Sequence, residues 1–286
     1  MTQITILNDI IHSDLDASLD IQKSWGIQIV DLRSGIFGKN FMQLTDVEAQ
    51  SAVQATQDRG MSVYCLSSGL FFDDIEKGEA YFRETHLNKV GRLIELGYIF
   101  QPSVIRLLSA TSSKRVDFTD SFEYLQKQHS WVIPIYREAI DLIAEAGFMV
   151  TLENEVKENL FTTPEEIVRF FQALDRSDRC TFTFDVQNLW LMGTFPTMEV
   201  YRQLAPLIGY YHLKGGLVDE TGVKLKFKSS LADASWPVAE MTRALVSDGR
   251  CGAICLNPSH GEDKPGYDDM EINRQNVEFL KSLLAE

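Results

Sequence analysis

The chain has 286 residues and a net charge of −14, from 27 basic and 41 acidic side chains. At 44% hydrophobic and 24% charged it has an ordinary globular composition, which excludes disordered, collagen-like and low-complexity chains. No apolar run reaches the ~18 residues of a membrane span, and the opening Met1-Thr2-Gln3-Ile4 lacks the basic and apolar segments of a secretory leader. The acidic balance opposes nucleic-acid binding, which needs Lys and Arg to neutralise phosphates. Four cysteines, Cys65, Cys180, Cys251 and Cys255, are sparse and form no close pairs, as expected of reduced core thiols in a cytoplasmic protein.

Short β-rich runs alternate with helical patterns along the whole chain. Strands are predicted at Ile4–Leu7 and Ile27–Leu32. A helix follows, opened by a capping box of Thr45 and Glu48 and stopped at Gly60. After a strand at Ser62–Leu66, the residues Phe82, His86, Val90, Leu93, Ile94 and Gly97 trace one face of a single helix. Next come a strand at Val104–Leu108 and a helix at Tyr136–Ala146, with Pro134 near its start and Gly147 as its stop. The strand Met149–Leu152 precedes the clearest helix start, Thr163-Pro164-Glu165-Glu166, after which Ile167, Phe170, Phe171 and Leu174 recur at helical spacing. Strands at Cys180–Phe184, Gly209–Leu213 and Ala253–Leu256 complete the set. Helices through Val238, Met241 and Leu245, and through Val277, Leu280 and Leu284, flank the last of them.

Eight buried strands with intervening helices and no break in composition predict an α/β fold, a (β/α)8 TIM barrel, as one domain over residues 1–286. An open doubly wound sheet is the alternative, but the glycine-rich phosphate loops of its nucleotide-binding forms are missing. In a barrel the chemistry lies at the C-terminal strand ends. There the later strands end in Glu153-Asn154-Glu155, Asp185-Val186-Gln187-Asn188, His212-Leu213-Lys214 and Asn257-Pro258-Ser259-His260. Glu153, Asp185, His212 and Asn257 occupy matching depths on successive strands. Crowded carboxylates repel unless a cation neutralises them, so two carboxylates, an imidazole and an amide oxygen point to a divalent metal. Their mostly oxygen character favours Mn²⁺ or Mg²⁺, with Zn²⁺ as the alternative.

The runs LENE, FDVQN and YHLKG, with IVDLRSG on the second strand, resemble the xylose-isomerase-like TIM barrels. That superfamily holds sugar and sugar-phosphate isomerases and epimerases, dehydratases and an endonuclease type. The resemblance implies that Glu153, Asp185 and His212 are metal ligands. Asn257 stands where the isomerase and epimerase branch usually has a second Glu. An amide oxygen still binds a metal, but an amide cannot act as a general base.

The expected function is therefore a divalent-metal-dependent isomerase or epimerase of a sugar, sugar phosphate or related polyol. It would abstract a proton next to a carbonyl and stabilise an enediolate. Glu153 is expected to serve as ligand and base together, and Lys214 as electrostatic stabiliser or proton donor. Glu155 and His260 are expected to touch substrate, and Arg33 to clamp a phosphate or carboxylate. Trp190, Phe195, Phe37 and Phe71 are candidate pocket walls, with Gly35 and Gly38 suggesting a mobile cover. A dehydratase uses the same first half-reaction, and a non-catalytic sugar-binding barrel is the reading that Asn257 keeps open. The partner is a small sugar or polyol, with room for a homo-oligomer and none for nucleic acid or a membrane. An endonuclease is disfavoured by the acidic charge and by only five histidines.

Overall fold

The structure, a computed structural model, describes residues 2–285. Its strands are β1 (Gln3–Ile6), β2 (Ile29–Leu32), β3 (Ser62–Ser67), β4 (Val104–Leu108), β5 (Met149–Glu153), β6 (Cys180–Asp185), β7 (Ile208–Leu213), β8 (Leu217–Val218), β9 (Leu225–Phe227) and β10 (Ala253–Leu256). β1 to β7 and β10 form one parallel sheet in the order β1-β10-β7-β6-β5-β4-β3-β2. A parallel bridge from Leu7 to Asp31 draws its two ends together. The sheet is thus a nearly closed barrel with helices outside it, a (β/α)8 TIM barrel. Every predicted barrel strand is present within a residue or two.

Two devices missing from the predicted order shape the barrel mouth. β8 and β9 pair as an antiparallel hairpin between β7 and the helix Val238–Asp248. A six-residue helix, Val186–Leu191, starts directly from β6, with Asp185 as its cap. The single helix expected through Phe82 and Gly97 is instead broken. Glu79–Thr85 ends at His86, a short turn spans Leu87–Lys89, and a new helix runs over Val90–Phe100. His86 is held out of helical register because its Nδ1 accepts from the Phe71 backbone N–H at 3.1 Å.

The helix starts behave as their sequences dictate. Thr45 with Glu48, and Thr163 with Glu166, form reciprocal capping boxes. Pro134 sits in the first turn of Val132–Glu145, where a missing N–H costs nothing. Most of the apolar core lies between barrel and helices. A second, smaller cluster of Leu7, Ile29, Tyr64, Cys65, Val104, Tyr210, Ala253 and Cys255 fills the barrel itself. Side chains two apart on a strand share a face. Thus Ile29, Val104, Tyr210 and Cys255 lie beneath Asp31, Arg106, His212 and Asn257 respectively. An apolar floor therefore carries a layer of polar and charged groups. All four cysteines are free and buried.

Candidate active site at the barrel mouth

Strand register brings the predicted ligands together. Asp185 pairs with His212 across β6 and β7, and His212 pairs with Cys255 on β10, two residues before Asn257. Glu153 is opposite Thr183, two residues before Asp185. The ligand atoms of Glu153, Asp185 and His212 all lie within 4.8 Å of one another. His212 Nδ1 is 2.7 Å from Glu153 Oε1, 2.9 Å from Asn257 Nδ2 and 4.0 Å from Asp185 Oδ2. All four side chains are buried.

Two internal cations balance the carboxylates. Arg106 on β4 donates to Glu153 Oε2 at 2.7 Å, and Lys214 Nζ lies 2.7 Å from Asp185 Oδ2. Lys214 also donates to Asn188 Oδ1 at 2.8 Å and sits 3.3 Å from His260 Nε2. Asn154 fixes the frame: it donates to the Asp185 carbonyl at 2.8 Å and accepts from the Asp185 N–H at 2.9 Å. Beneath them Asp31 accepts from Ser67 Oγ at 2.5 Å and from Tyr210 OH at 2.7 Å.

Burial dominates the acid–base character here. It pushes His212 down to about 3, so the ring is neutral with a lone pair to give. It pushes Glu153 up, against the opposing pull of Arg106. Glu155 rises to about 7, through burial and then the charge of Glu153. Its contacts are weak: its own Val156 N–H at 3.3 Å and Asn188 Nδ2 at 3.5 Å. Burial, followed by the charge of Lys214, lowers His260 to about 4.

These donors fit a divalent metal. Asp185 Oδ2 meets only the Lys214 ammonium, in an ion pair, and the buried His212 Nε2 has no hydrogen-bond partner. The carboxylate nearest that nitrogen is Asp31, with Oδ2 at 4.0 Å. Metal-binding histidines usually give their second N–H to such a carboxylate, which fixes the ring. Rotating the Asn257 amide by half a turn presents Oδ1 where Nδ2 now faces His212. Glu153, Asp185, His212 and Asn257 therefore offer three oxygens and one nitrogen around one point.

Other sequence candidates stand outside the cluster of metal-ligating atoms, although the charge of Arg33 still reaches Glu153. Arg33 is half-exposed, and its guanidinium pairs with Asp9 at 2.9 Å. Phe71 does not reach the mouth: it is fully buried, stacked on His86 and packed against Tyr136. Trp190 is also buried, and its indole N–H donates to the Val223 carbonyl at 2.6 Å, which anchors the hairpin. Phe195 packs edge-on against it. Phe37 is 47% exposed at the tip of a tight turn closed by reciprocal Ile36–Lys39 hydrogen bonds. Gly35 and Gly38 serve the positive φ angles of that turn.

Arg106, Asp31 and Asn188 escaped the sequence reading. For the first two a signal existed. Each is a lone charge inside an apolar run, VIRLL and IVDL. In a strand buried on both faces, such a charge must enter the barrel and find a partner.

The chain belongs to the family described as Xylose isomerase-like TIM barrel, whose model matches residues 19–283. No curated protein sequence matches it. Among solved structures it is similar to a xylose isomerase-like TIM barrel protein from Mycobacterium smegmatis in complex with magnesium. That pair has 17% identity, covers 99% of this chain and 97% of the other, and has a TM-score of 0.73. D-psicose 3-epimerase from Clostridium cellulolyticum H10, with D-tagatose, has 13% identity, 99% coverage of both chains and a TM-score of 0.73. A probable 3-DHS dehydratase from Bacillus anthracis has 16% identity, covers 98% of this chain and 99% of its own, and has a TM-score of 0.72. Among the described residues no helix is long and apolar enough to cross a membrane.

Proposed function

We propose that the protein is a divalent-metal-dependent isomerase or epimerase acting on a sugar or related polyol that carries a carbonyl beside a hydroxyl-bearing carbon. The observation that carries this reading is the convergence of the Glu153, Asp185 and His212 ligand atoms within 4.8 Å at the barrel mouth. A relative of the same fold with magnesium and another that is an epimerase support it. Glu153, Asp185, His212 and Asn257 would hold Mn²⁺ or Mg²⁺, which supplies Lewis-acid stabilisation of negative charge on the substrate oxygens.

The remaining chemistry belongs to the chain. Glu153 has one oxygen held by Arg106 and would give the other, which faces His212, to the metal. Its part is to hold and orient. Glu155, with a nearly free carboxyl titrating at about 7, takes the proton from the carbon next to the carbonyl. Lys214 places its ammonium beside the oxygen on which charge develops, held there by Asp185 and Asn188. Returning a proton to the same carbon on its other face gives epimerisation, and to the neighbouring carbon isomerisation.

The test is solvent-proton exchange. Protein loaded with Mn²⁺ is incubated in D₂O with a panel of ketoses and aldoses and followed by NMR. Deuterium should enter next to the carbonyl, and Glu155→Gln should slow this by about 10²–10⁴ while still binding Mn²⁺. The neutral Asn257 favours a second reading, a sugar-binding barrel without turnover. Sugar binding with no deuterium incorporation would establish that one, and absence of Mn²⁺ binding would remove the metal from both.

A further inference from the structure

The site continues into a cavity of about 230 Å³ between the segment after β7 and the loop after β10. Its wall includes Lys214, Lys228, Ser229, Asn257 and Tyr267, together with one carboxylate, Asp269. The cavity thus shares Lys214 and Asn257 with the proposed reaction centre, and Lys228 is the new element. Parts of the fold hold this lysine in place. Its backbone N–H donates to the Glu262 carbonyl at 2.9 Å, tying the hairpin to the loop after β10. Its ammonium lies 5.5 Å above the Tyr267 ring. Ser229, beside it, is buried.

Lys228 is paired with Asp263 at 2.8 Å and Asp269 at 3.8 Å, whose side chains are 60% and 66% exposed. Ion pairs to exposed carboxylates are weak and exchange readily for a better-placed anion. The cations come from one side: residues 214–228 carry four lysines against Asp219 and Glu220, and two of them, Lys214 and Lys228, line the cavity, whereas the segment after β10 carries Glu262, Asp263, Asp268 and Asp269 against Lys264. An anion would therefore reach Lys228 by displacing the exposed carboxylates of that segment. The reaction centre does not oppose an anion. With a dication, Arg106 and Lys214 set against Glu153, Asp185, Asp31 and Glu155, no negative charge is left over, because Asn257 is neutral. Loops after the seventh and eighth barrel strands are also where TIM barrels commonly bind phosphate.

We infer that this cavity is an anion subsite, in which Lys228, with Ser229 and Tyr267 beside it, receives a carboxylate or phosphate at the far end of the substrate. This rests on the proposed reaction at the metal-ligand cluster and narrows its substrate to an acidic sugar derivative.

The experiment is calorimetric binding of three probes with the same four-carbon chain: D-erythronate, D-erythritol 4-phosphate and neutral erythritol. Each is measured with and without Mn²⁺ on the wild type, Lys228→Met and Asp263→Asn. One or both acidic probes should bind about 10- to 100-fold tighter than erythritol, as for a charge-assisted hydrogen bond. Which acidic probe binds tighter distinguishes carboxylate from phosphate. Lys228→Met should abolish the preference and leave Mn²⁺ affinity unchanged. Asp263→Asn should tighten acidic probes a few-fold by freeing the lysine. Equal binding of acidic and neutral probes by the wild type overturns the inference. So does a preference that survives Lys228→Met, or Asp263→Asn weakening the acidic probes. Failure of the wild type to bind Mn²⁺ would instead overturn the metal centre, while the metal-free comparison still decides the role of Lys228.

Discussion

Replacing Arg106 with Met removes the cation that Glu153 faces at 2.7 Å, where both side chains are almost wholly buried. At that separation and an effective dielectric near 20, the pair attraction is about 4 kcal/mol or more. Removing one partner of a buried pair typically costs about 3–5 kcal/mol, because the other charge stays in a medium that cannot solvate it. For a chain of 286 residues the unfolding entropy is roughly 0.6 kcal/mol/K, so the melting temperature should fall roughly 5–8 °C. The sign with pH follows from Glu153, whose folded pKa is already above its ordinary value of 4.5 and rises further without Arg106. A carboxyl raised on folding is stabilising when protonated, so the loss should be small near pH 5 and grow towards pH 8. A divalent ion at Glu153 replaces the missing cation. Mn²⁺ should therefore raise the melting temperature of Arg106→Met more than that of the wild type. Arg106→Met with Glu153→Leu should recover most of the metal-free stability, since an apolar pair replaces an ionic one at little cost. Thermal melts at three pH values, with and without Mn²⁺, read all of this. A loss below about 1 kcal/mol, or one independent of pH, would refute the assignment of Arg106 as the counter-ion of Glu153.

Other expectations follow from single contacts. Thr163→Ala removes a capping box and should cost about 1 kcal/mol in denaturant unfolding, with the slope unchanged. Gly215→Ala builds a Cβ 2.0 Å from the Ser229 carbonyl oxygen, so it should destabilise by about 1–3 kcal/mol and weaken ligand binding in the adjoining cavity. Burial lowers His86 from 6.5 to about 4. The unfolded chain thus binds its proton first, and stability should fall as pH drops from about 6.5 to 4; His86→Gln should flatten that part of the profile.

The barrel was legible because its strands are buried on both faces, and such strands appear in the sequence as short apolar runs between helix caps. Glu153, Asp185, His212 and Asn257 were legible for a related reason: three follow one of those runs directly, and His212 is the polar residue one place before the end of another. Features that depend on distant contacts were not. His86 breaks a helix that local periodicity makes continuous, because its ring is drawn to the backbone of Phe71. The β8–β9 hairpin has strands of only two and three residues, partly buried, too short for a repeat to show in the sequence. Arg33 stands at a strand end as expected, but Asp9, in the short helix Asn8–Ile11 that follows β1, supplies its partner. Nothing in the local sequence of either residue encodes that meeting. The cationic wall of the cavity went unread for the same reason, since Lys228 comes to the mouth only when the chain folds back after β9.

Asn257 and Arg106 are best understood together. Without a metal, the layer above the barrel floor holds Glu153 and Asp185 against Arg106 and Lys214, with each carboxylate within 2.7 Å of its cation. A glutamate at position 257 would add a fourth carboxylate beside His212, after Glu153, Asp185 and Asp31, and the neutral ring cannot compensate it. Asparagine avoids that surplus, and its amide makes short contacts to His212 and Cys255 in the metal-free state. With Glu153 and Asp185 each paired to a cation, and with burial pushing the carboxyls of Asp31 and Glu155 up towards their neutral form, the layer can stay folded with its metal absent. The cost is a weaker hold on the ion, because Arg106 and Lys214 oppose it and Asn257 contributes no charge. Asn257→Glu should therefore tighten Mn²⁺ binding and lower metal-free stability together, and the two effects should shrink in the Arg106→Met background, where one cation is gone. Measuring Mn²⁺ affinity and metal-free melting in the four combinations tests that coupling. Strict additivity of the two substitutions would mean that each acts on its own neighbours, and that the layer is not a single charge-balanced unit.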